Sequence, residues 1–243
     1  MKLRWMAAPV LGLAMAFASQ ASAGPAQLNR AFSTLHSVSE NGREGGARPT
    51  QALIEGKDGH LYGVSHDPGA VFRVTKRGRF EVLCTWEGDT SMEDWGLSAL
   101  TQGTDGGLYG VGQACGESGS GCLYRCGLQG HLSVMHSFED PAEGLYPGAQ
   151  LTLGPDGFFY GTTLAGGENE RGSLFRFGLE SGFEVLDSFS SDNASLSPRS
   201  PIIVRADGTL YGTVTYGGRY QDGTLYRYSE VEGIEVVAEV PST

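Results

Sequence analysis

In this 243-residue chain, several acidic residues lie close in sequence to aromatic residues, within Gly-rich segments. Six of these residues are candidates for a ligand-binding site: Glu93, Asp94, Trp95, Tyr146, Tyr216 and Tyr220. An aromatic ring can stack on a sugar or lie against a cation, and a neighbouring carboxylate can pair with that cation. The pattern predicts a binding surface for a carbohydrate or a cationic ligand. The plainer interpretation is a solvated loop surface with a few packing aromatics.

The four cysteines are the other residues that could form bonds important to this chain, either as disulfides or to a metal: Cys84, Cys115, Cys122 and Cys126. In an exported chain, four cysteines favour disulfides over metal thiolates. Cys122 and Cys126 fall on one predicted strand, about 13 Å apart at ~3.3 Å per residue, which is too far for a bridge. Of the two pairings left, we favour Cys115–Cys122 with Cys84–Cys126. A zinc site is the alternative, and titration of free thiols separates the two.

A motif of the form Asp-Gly-x-Leu-Tyr-Gly marks the elements that must position these residues. Its four copies begin at Asp58, Asp105, Asp156 and Asp207. The steps between the motif tyrosines are 47, 51 and 51 residues, a period typical of stacked or ring-arranged units. Each repeat contains four strand-like segments, A to D, which in the last repeat are 201–205, 210–214, 224–228 and 234–240. The sequence therefore predicts an all-β fold, a β-propeller built from four ~51-residue four-stranded repeats.

The spacing separates fixed turns from variable loops. The motif Asp and Tyr are four residues apart in every repeat, and a strand C arginine precedes the centre of strand D by ten. The A–B and C–D turns are thus fixed, and the B–C and D–A loops vary. Because successive turns of a meander alternate between two faces, the variable loops share one face, where function concentrates on a rigid scaffold. These loops are 39–48, 87–96, 139–148 and 190–199 for D–A, and 65–69, 112–121, 164–172 and 215–223 for B–C.

Residues that recur in every repeat are interpreted as structural. The motif aspartates should make hairpin turns, and the motif tyrosines should pack between blades. The strand C arginines should form salt bridges; they are Arg73, Arg125, Arg176 and Arg227. His36 and His136 occupy matching strand D positions, but the other repeats have Cys84 and Asp187 there, which argues against a shared catalytic role.

Composition and charge indicate an exported acidic protein. Two basic residues precede an apolar run over 6–18, and Ala21-Ser22-Ala23 has the form of a cleavage site. The run is too short to span a membrane. We expect a signal peptide over 1–23, a short lead over 24–31 and a repeat domain over 32–243, in the periplasm or outside the cell. The net charge of −11 opposes binding to nucleic acid and anionic lipid, so neutral or cationic partners are expected.

Residues for catalysis are scarce. No Ser-His-Asp arrangement in a recognisable context and no phosphate loop occur. A glycoside hydrolase needs two carboxylates at the substrate, and Glu55 is the only acid in the innermost A segments. We predict a non-catalytic binding or interaction scaffold without catalytic residues, metal ligands or cofactors. The alternatives are a carbohydrate-active hydrolase with loop carboxylates and a structural envelope component.

The repeats resemble the GloVer tandem repeat of exported bacterial proteins. The third repeat carries the resemblance best, through Asp156-Gly157, Tyr160-Gly161-Thr162-Thr163, Gly166-Gly167 and Gly172-Ser173-Leu174-Phe175. The resemblance covers 32–240 and implies a surface or exported propeller-like protein, with no catalytic residues to transfer. Segment 32–38 also matches strand D, which gives five D-like strands for four blades. Ring closure, and the choice between a monomer and a homodimer that forms a larger ring, therefore stay open.

Overall fold

The computed structural model describes residues 34, 49, 51–66, 69–86, 97–190 and 198–241. The predicted export signal and the strand-like segment 32–38 lie outside these residues, except for Thr34. The chain divides into a unit of Met1–Thr34 and a unit of Leu35–Thr243, and the second contains every strand given below. The described residues include no helix that is long and apolar enough to cross a membrane.

The described chain forms seventeen strands in four antiparallel sheets, and strands that follow in sequence are neighbours in each sheet. The first sheet contains β1 (Ile54–Glu55), β2 (Leu61–His66), β3 (Gly69–Val74) and β4 (Phe80–Thr85). The second contains β5 (Thr101–Gln102), β6 (Leu108–Gly112), β7 (Cys122–Cys126) and β8 (Leu132–Ser137). The third contains β10 (Thr152–Leu153), β11 (Phe159–Ala165), β12 (Ser173–Gly178) and β13 (Gly182–Ser188), with β9 (Leu145–Pro147) paired to β11. The fourth contains β14 (Ile203–Val204), β15 (Leu210–Val214), β16 (Thr224–Ser229) and β17 (Gly233–Glu239).

The Asp-Gly turns have the geometry that their sequence predicts. In the first sheet, the Gly59 N–H donates to the Gly56 carbonyl at 2.9 Å, and the Gly56 N–H donates to the His60 carbonyl at 2.8 Å. Gly59 has a φ of 76°, a left-handed conformation that Gly adopts without steric cost. This is a three-residue hairpin loop with a bulge at its glycine. The A–B turns of the other sheets repeat both bonds.

Every sheet has a β-bulge at the same place in its outer strand. The register between the third and fourth strands shifts once in each sheet, leaving one outer-strand residue unpaired. The unpaired residues are Leu83, Met135, Leu186 and Val237, the predicted strand D centres. An extra residue bends the strand and re-aims its side chain. Three of them pack into an apolar cluster between their own sheet and the next one.

The hydrophobic core lies between successive sheets. One cluster joins the first and second sheets, one the second and third, and one the third and fourth. At the second junction, Tyr109 and Phe159 bring their ring centroids to 4.3 Å. The last glycine of each motif leaves room for an aromatic ring of its own sheet, and a Cβ on Gly161 would overlap the Phe175 ring. Aromatic packing thus explains why Gly recurs there.

Both favoured disulfides are present. Cys84 and Cys126 join β4 to β7 with a Cα–Cα distance of 6.1 Å, so this bond connects the first two sheets. Cys115 and Cys122 close the loop between β6 and β7 with a Cα–Cα distance of 5.2 Å. The bonds include all four cysteines, so no thiolate is left for the zinc alternative.

Candidate functional site

The fixed-turn face, formed by the A–B and C–D turns, carries a recurring polar network. In the first sheet, Asp58 accepts one hydrogen bond from the His60 N–H at 3.1 Å and another from the Tyr62 hydroxyl at 2.6 Å. Arg73 donates to Glu81 at 2.6 Å. The corresponding arginine–glutamate pairs in the third and fourth sheets are Arg176–Glu184 and Arg227–Glu235, each at 2.7 Å. The salt bridges predicted for the strand C arginines are thus present in these three sheets, and Asp58 bonds within its hairpin turn as predicted.

The second sheet arranges the same network differently. Ser133 stands opposite Arg125, where the other sheets have a glutamate. Arg125 instead donates to Asp105 at 2.7 and 2.9 Å and to the Tyr109 hydroxyl at 3.1 Å. Desolvation alone would raise the pKa of Asp105, but the hydrogen bonds from Arg125, the Gly107 N–H and Tyr109 lower it on balance. The strand C arginine therefore forms an ion pair with a carboxylate in every sheet.

Two tyrosines of this network, Tyr109 and Tyr160, have a raised pKa. Burial raises the pKa of Tyr109 to about 12, with a further contribution from its hydrogen bond to Asp105. Burial likewise raises the pKa of Tyr160 to about 12, supported by Asp156. A cavity of about 340 Å³ between the third and fourth sheets includes Asp156, Tyr160 and Arg176 in its lining. Within this lining, the Tyr160 hydroxyl donates to Asp156 at 2.6 Å, and Arg176 donates to Glu230 at 3.4 Å.

The variable-loop face has a different construction. In the third sheet's B–C loop, the Gly172 N–H donates to the Gly166 carbonyl at 2.8 Å, and the Glu170 N–H donates to the Gly167 carbonyl at 3.1 Å. Equivalent bonds in the second and fourth sheets start from Gly121, Gly119, Gly223 and Gln221. The three loops thus share one pattern of backbone hydrogen bonds, which we call the loop frame. The residues within the loop frame differ among the three loops, so the same backbone carries three different sets of side chains. In the second sheet the disulfide closes this frame.

A cleft of about 790 Å³ lies beside the disulfide-closed loop. Among the described residues, its lining includes Trp86, residues 114–119 and residues 134–137. Trp86 is half-buried and packs edge-on against Tyr124 at 5.5 Å, while Glu117 is exposed. The cleft thus places an indole, a carboxylate and the imidazole of His136 around one space. Such a set suits a sugar or a cationic group.

His136 is fixed at the junction of the second and third sheets. Its ring stacks on Phe183 with centroids 3.9 Å apart, and its Nε2 lies 3.0 Å from a Glu143 oxygen. Burial lowers the pKa of His136 despite the opposing effect of Glu143. Because a carboxylate only accepts, Nε2 carries the proton. Glu143 is thereby held beside a side chain that lines the cleft.

Tyr146 is held against the disulfide-closed loop of the second sheet by its backbone. Its N–H donates to the Ser120 carbonyl at 2.8 Å, its side chain is 43% exposed, and its φ is 58°. A left-handed conformation is uncommon for a bulky residue and is retained where the surroundings impose it, often at functional sites. We name Trp86, Glu117, His136, Glu143 and Tyr146 the second-blade loop site.

The other predicted site residues do not join this group. Tyr216 and Tyr220 lie together in the fourth sheet's B–C loop and are 56% and 46% exposed. They share the loop face with Tyr146 but belong to a different sheet from the second-blade loop site. Glu93, Asp94 and Trp95 lie outside the described residues, in the loop that follows Trp86. Trp86 and Glu117 were missed as cleft residues, because they come from two different sheets and are distant in sequence.

Solved structures with a similar fold include several propeller-like proteins. Virginiamycin B lyase from Staphylococcus aureus superposes with a TM-score of 0.55 at 18% identity, over 78% of this chain and 55% of the lyase. A gluconolactonase from Xanthomonas campestris gives 0.51 at 14% identity, over 79% of this chain and 62% of the enzyme. This chain therefore spans a little over half the length of these proteins. At these identities the likeness concerns the fold alone, and it confirms the predicted all-β, β-propeller-like architecture.

Comparison by sequence identifies the repeat and no individual relative. The family model of the Gloeobacter/Verrucomicrobia repeat matches residues 65–242. That range contains three of the four motif copies. No curated protein matches the chain.

Proposed function

Because this chain belongs to the Gloeobacter/Verrucomicrobia repeat family, whose defining residues form the blade framework, we propose that it is an exported, non-catalytic binding scaffold. Its ligand face is formed by the B–C and D–A loops, with the second-blade loop site as the principal contact. Export rests on the predicted signal peptide and on two disulfides, which persist in oxidising compartments.

The contrast between the two faces supports this proposal. On the fixed-turn face, recurring aspartates, tyrosines and arginines bond to one another. On the loop face, three tyrosines present exposed rings: Tyr146, Tyr216 and Tyr220. Large exposed aromatics cost solvation free energy and are enriched where proteins bind partners. This difference in exposure is the observation that carries the proposal.

Charge narrows the ligand class to carbohydrates and cationic groups. The loops 112–121 and 139–148, which contribute to the second-blade loop site, contain four acids and neither Lys nor Arg: Glu117, Glu139, Asp140 and Glu143. An anionic ligand would be repelled there, whereas a neutral or amino sugar could stack on a ring and bond to the carboxylates.

A glycan array of neutral and amino sugars, probed with the oxidised full chain, tests this function. Hits are titrated against Tyr146→Ala and Glu117→Gln. Truncating an aromatic contact should weaken binding about tenfold, which corresponds to ~1.4 kcal/mol. Val231→Ala is the matched control, because Val231 is 94% exposed on the fixed-turn face, and it should bind like the parent.

Salt dependence separates the two ligand classes. Binding of an amino sugar should weaken as salt screens the carboxylates, whereas binding of a neutral sugar should not. If Tyr146→Ala, Glu117→Gln and a Tyr216→Ala/Tyr220→Ala double variant all retain parental affinity, the ligand does not bind the loop face. The absence of any hit among these sugars would oppose the carbohydrate class itself.

A further inference from the structure

Each junction between consecutive sheets is built from the same positions of the repeat. The motif tyrosine of the earlier sheet packs toward the later one, and Tyr62, Tyr109 and Tyr160 are 0%, 0% and 4% exposed. The bulge residues Leu83, Met135 and Leu186 pack into the same three junctions. Each sheet thus packs the same side against the sheet that follows it. We call this its successor-facing side, and the opposite side its predecessor-facing side.

That successor-facing side is open on the fourth sheet. Tyr211, the fourth motif tyrosine, is partly exposed. The bulge residue Val237 is 44% exposed, and Ile203 on the innermost strand is 67% exposed. In the first three sheets the motif tyrosine is buried, and the residues at the other two positions are half-buried rather than exposed. An apolar sheet face of this kind has an unfavourable contact with water.

The first sheet is open on its opposite, predecessor-facing side. Leu53 is 49% exposed, whereas the residues at its position in the next three sheets are 0%, 2% and 2% exposed: Leu100, Leu151 and Ile202. Leu61 is also partly exposed, and its counterparts are all fully buried: Leu108, Phe159 and Leu210. Among the described residues, the row of four sheets therefore has two unlike open faces, each of which matches one side of an internal junction.

We propose that a second copy of this chain covers both faces, so that the fourth sheet of each copy packs on the first sheet of the other. The new contacts continue the packing that the three internal junctions already use. This chain spans 55% of the length of a propeller with the same fold, so two copies supply about one ring. Eight blades lie within the usual range of about four to eight for propellers. A twofold axis through the ring relates the copies and closes this head-to-tail contact.

The innermost strands indicate which residues meet at the new junctions. Inside the chain, the Thr101 hydroxyl donates to the Leu151 carbonyl at 2.5 Å, and the Thr152 hydroxyl donates to the Ile202 carbonyl at 2.6 Å. Ile203 stands at this position on the open face, as Ile54 does in the first sheet, where it packs into the first internal junction. The counterpart of Ile203 across the new junction is Leu53 of the other copy. An exposed aliphatic pair therefore stands where a hydroxyl–carbonyl bond joins the second sheet to the third and the third to the fourth.

Multi-angle light scattering of the purified full chain, over a dilution series, tests the ring. The parent should elute at twice the chain mass. Ile203→Asp and Leu53→Asp should each shift it to the chain mass, because both variants bury an unpaired carboxylate in two junctions. The double variant Leu53→Lys/Ile203→Asp should restore the doubled mass by pairing opposite charges, and Val231→Asp should leave the parent mass unchanged.

Each other outcome overturns the proposal. A monomeric parent would mean that another part of the same chain covers these faces, or that nothing does. Open, concentration-dependent oligomers would mean that the contact does not close. A dimer that survives both single substitutions would use another surface. Circular dichroism of every variant separates loss of association from loss of folding, since these two positions are exposed and the sheets should persist.

Discussion

Removing the disulfide between the first two sheets should destabilise the protein more than removing the one inside the second-blade loop. The Cys84–Cys126 bond closes a separation of 42 residues, and the Cys115–Cys122 bond closes 7. Loop-closure entropy at 25 °C gives about 4.0 kcal/mol for the longer loop and about 2.4 kcal/mol for the shorter one. The free energies of unfolding of the two double variants should therefore differ by about 1.6 kcal/mol.

The comparison is well matched because all four side chains are buried, at 3% exposure or less. Cys84→Ala/Cys126→Ala and Cys115→Ala/Cys122→Ala thus remove the same atoms from similar surroundings. Alanine is preferable to serine, which would bury a hydroxyl. Equilibrium unfolding in urea, followed by tryptophan fluorescence and far-UV circular dichroism, measures both free energies. Coincident transitions from the two probes would support a two-state treatment.

An equal or larger loss for the Cys115→Ala/Cys122→Ala variant would refute the reasoning. It would mean that the short bond stabilises the loop frame through contacts rather than through chain entropy. Non-coincident transitions in the Cys84→Ala/Cys126→Ala variant would show instead that the bond couples the unfolding of the first two sheets.

Three further predictions concern the blade framework and are measured by chemical denaturation. Gly161→Ala should lower the free energy of unfolding by ~1–3 kcal/mol, because the new Cβ overlaps the Phe175 ring. Gly157→Ala should lower it by about 1 kcal/mol, because no atom of the described residues lies near the new Cβ and only the backbone, at a φ of +87°, is strained. The stability advantage of the parent over Asp105→Asn should be full above the ordinary aspartate pKa of 3.8 and disappear as the pH falls through the lowered value. A pH-independent difference would contradict this. The parent should lose stability between pH 10 and 12, as the pH passes from the ordinary pKa of Tyr109 to its raised value of about 12; Tyr109→Phe should lose less, and equal losses would oppose the assignment.

Features that depend on neighbours in sequence were predictable. The Asp-Gly pair specifies a turn because a carboxylate can accept the N–H two residues on and Gly accepts a left-handed φ. The aspartate also reaches the tyrosine four residues later, since both lie at the end of one hairpin. Strand geometry, which separates Cys122 from Cys126 along β7, excluded one of the three disulfide pairings and left two.

Features that depend on contacts between sheets could not be predicted from the sequence. The second-blade loop site combines Trp86, Glu117 and Tyr146, which come from three different sheets or their loops. The pairing of His136 with Glu143 depends on how the third sheet stacks on the second. The redirection of Arg125 toward Asp105 follows from a serine on the neighbouring strand. No local pattern encodes such pairs, because many side chains are compatible with each strand.

The amino-acid order is sufficient to define the repeat, its turns and its division into constant and variable connections, since these follow from spacing along one chain. Burial is different, because it depends on what packs against a residue. Tyr160 and Tyr211 occupy the same motif position in repeats of nearly the same sequence, yet Tyr160 is 4% exposed while Tyr211 is only partly covered. A fourth sheet packs on Tyr160, and within the described residues no further sheet packs on Tyr211. The open faces of this propeller-like fold are therefore a property of how the sheets stack.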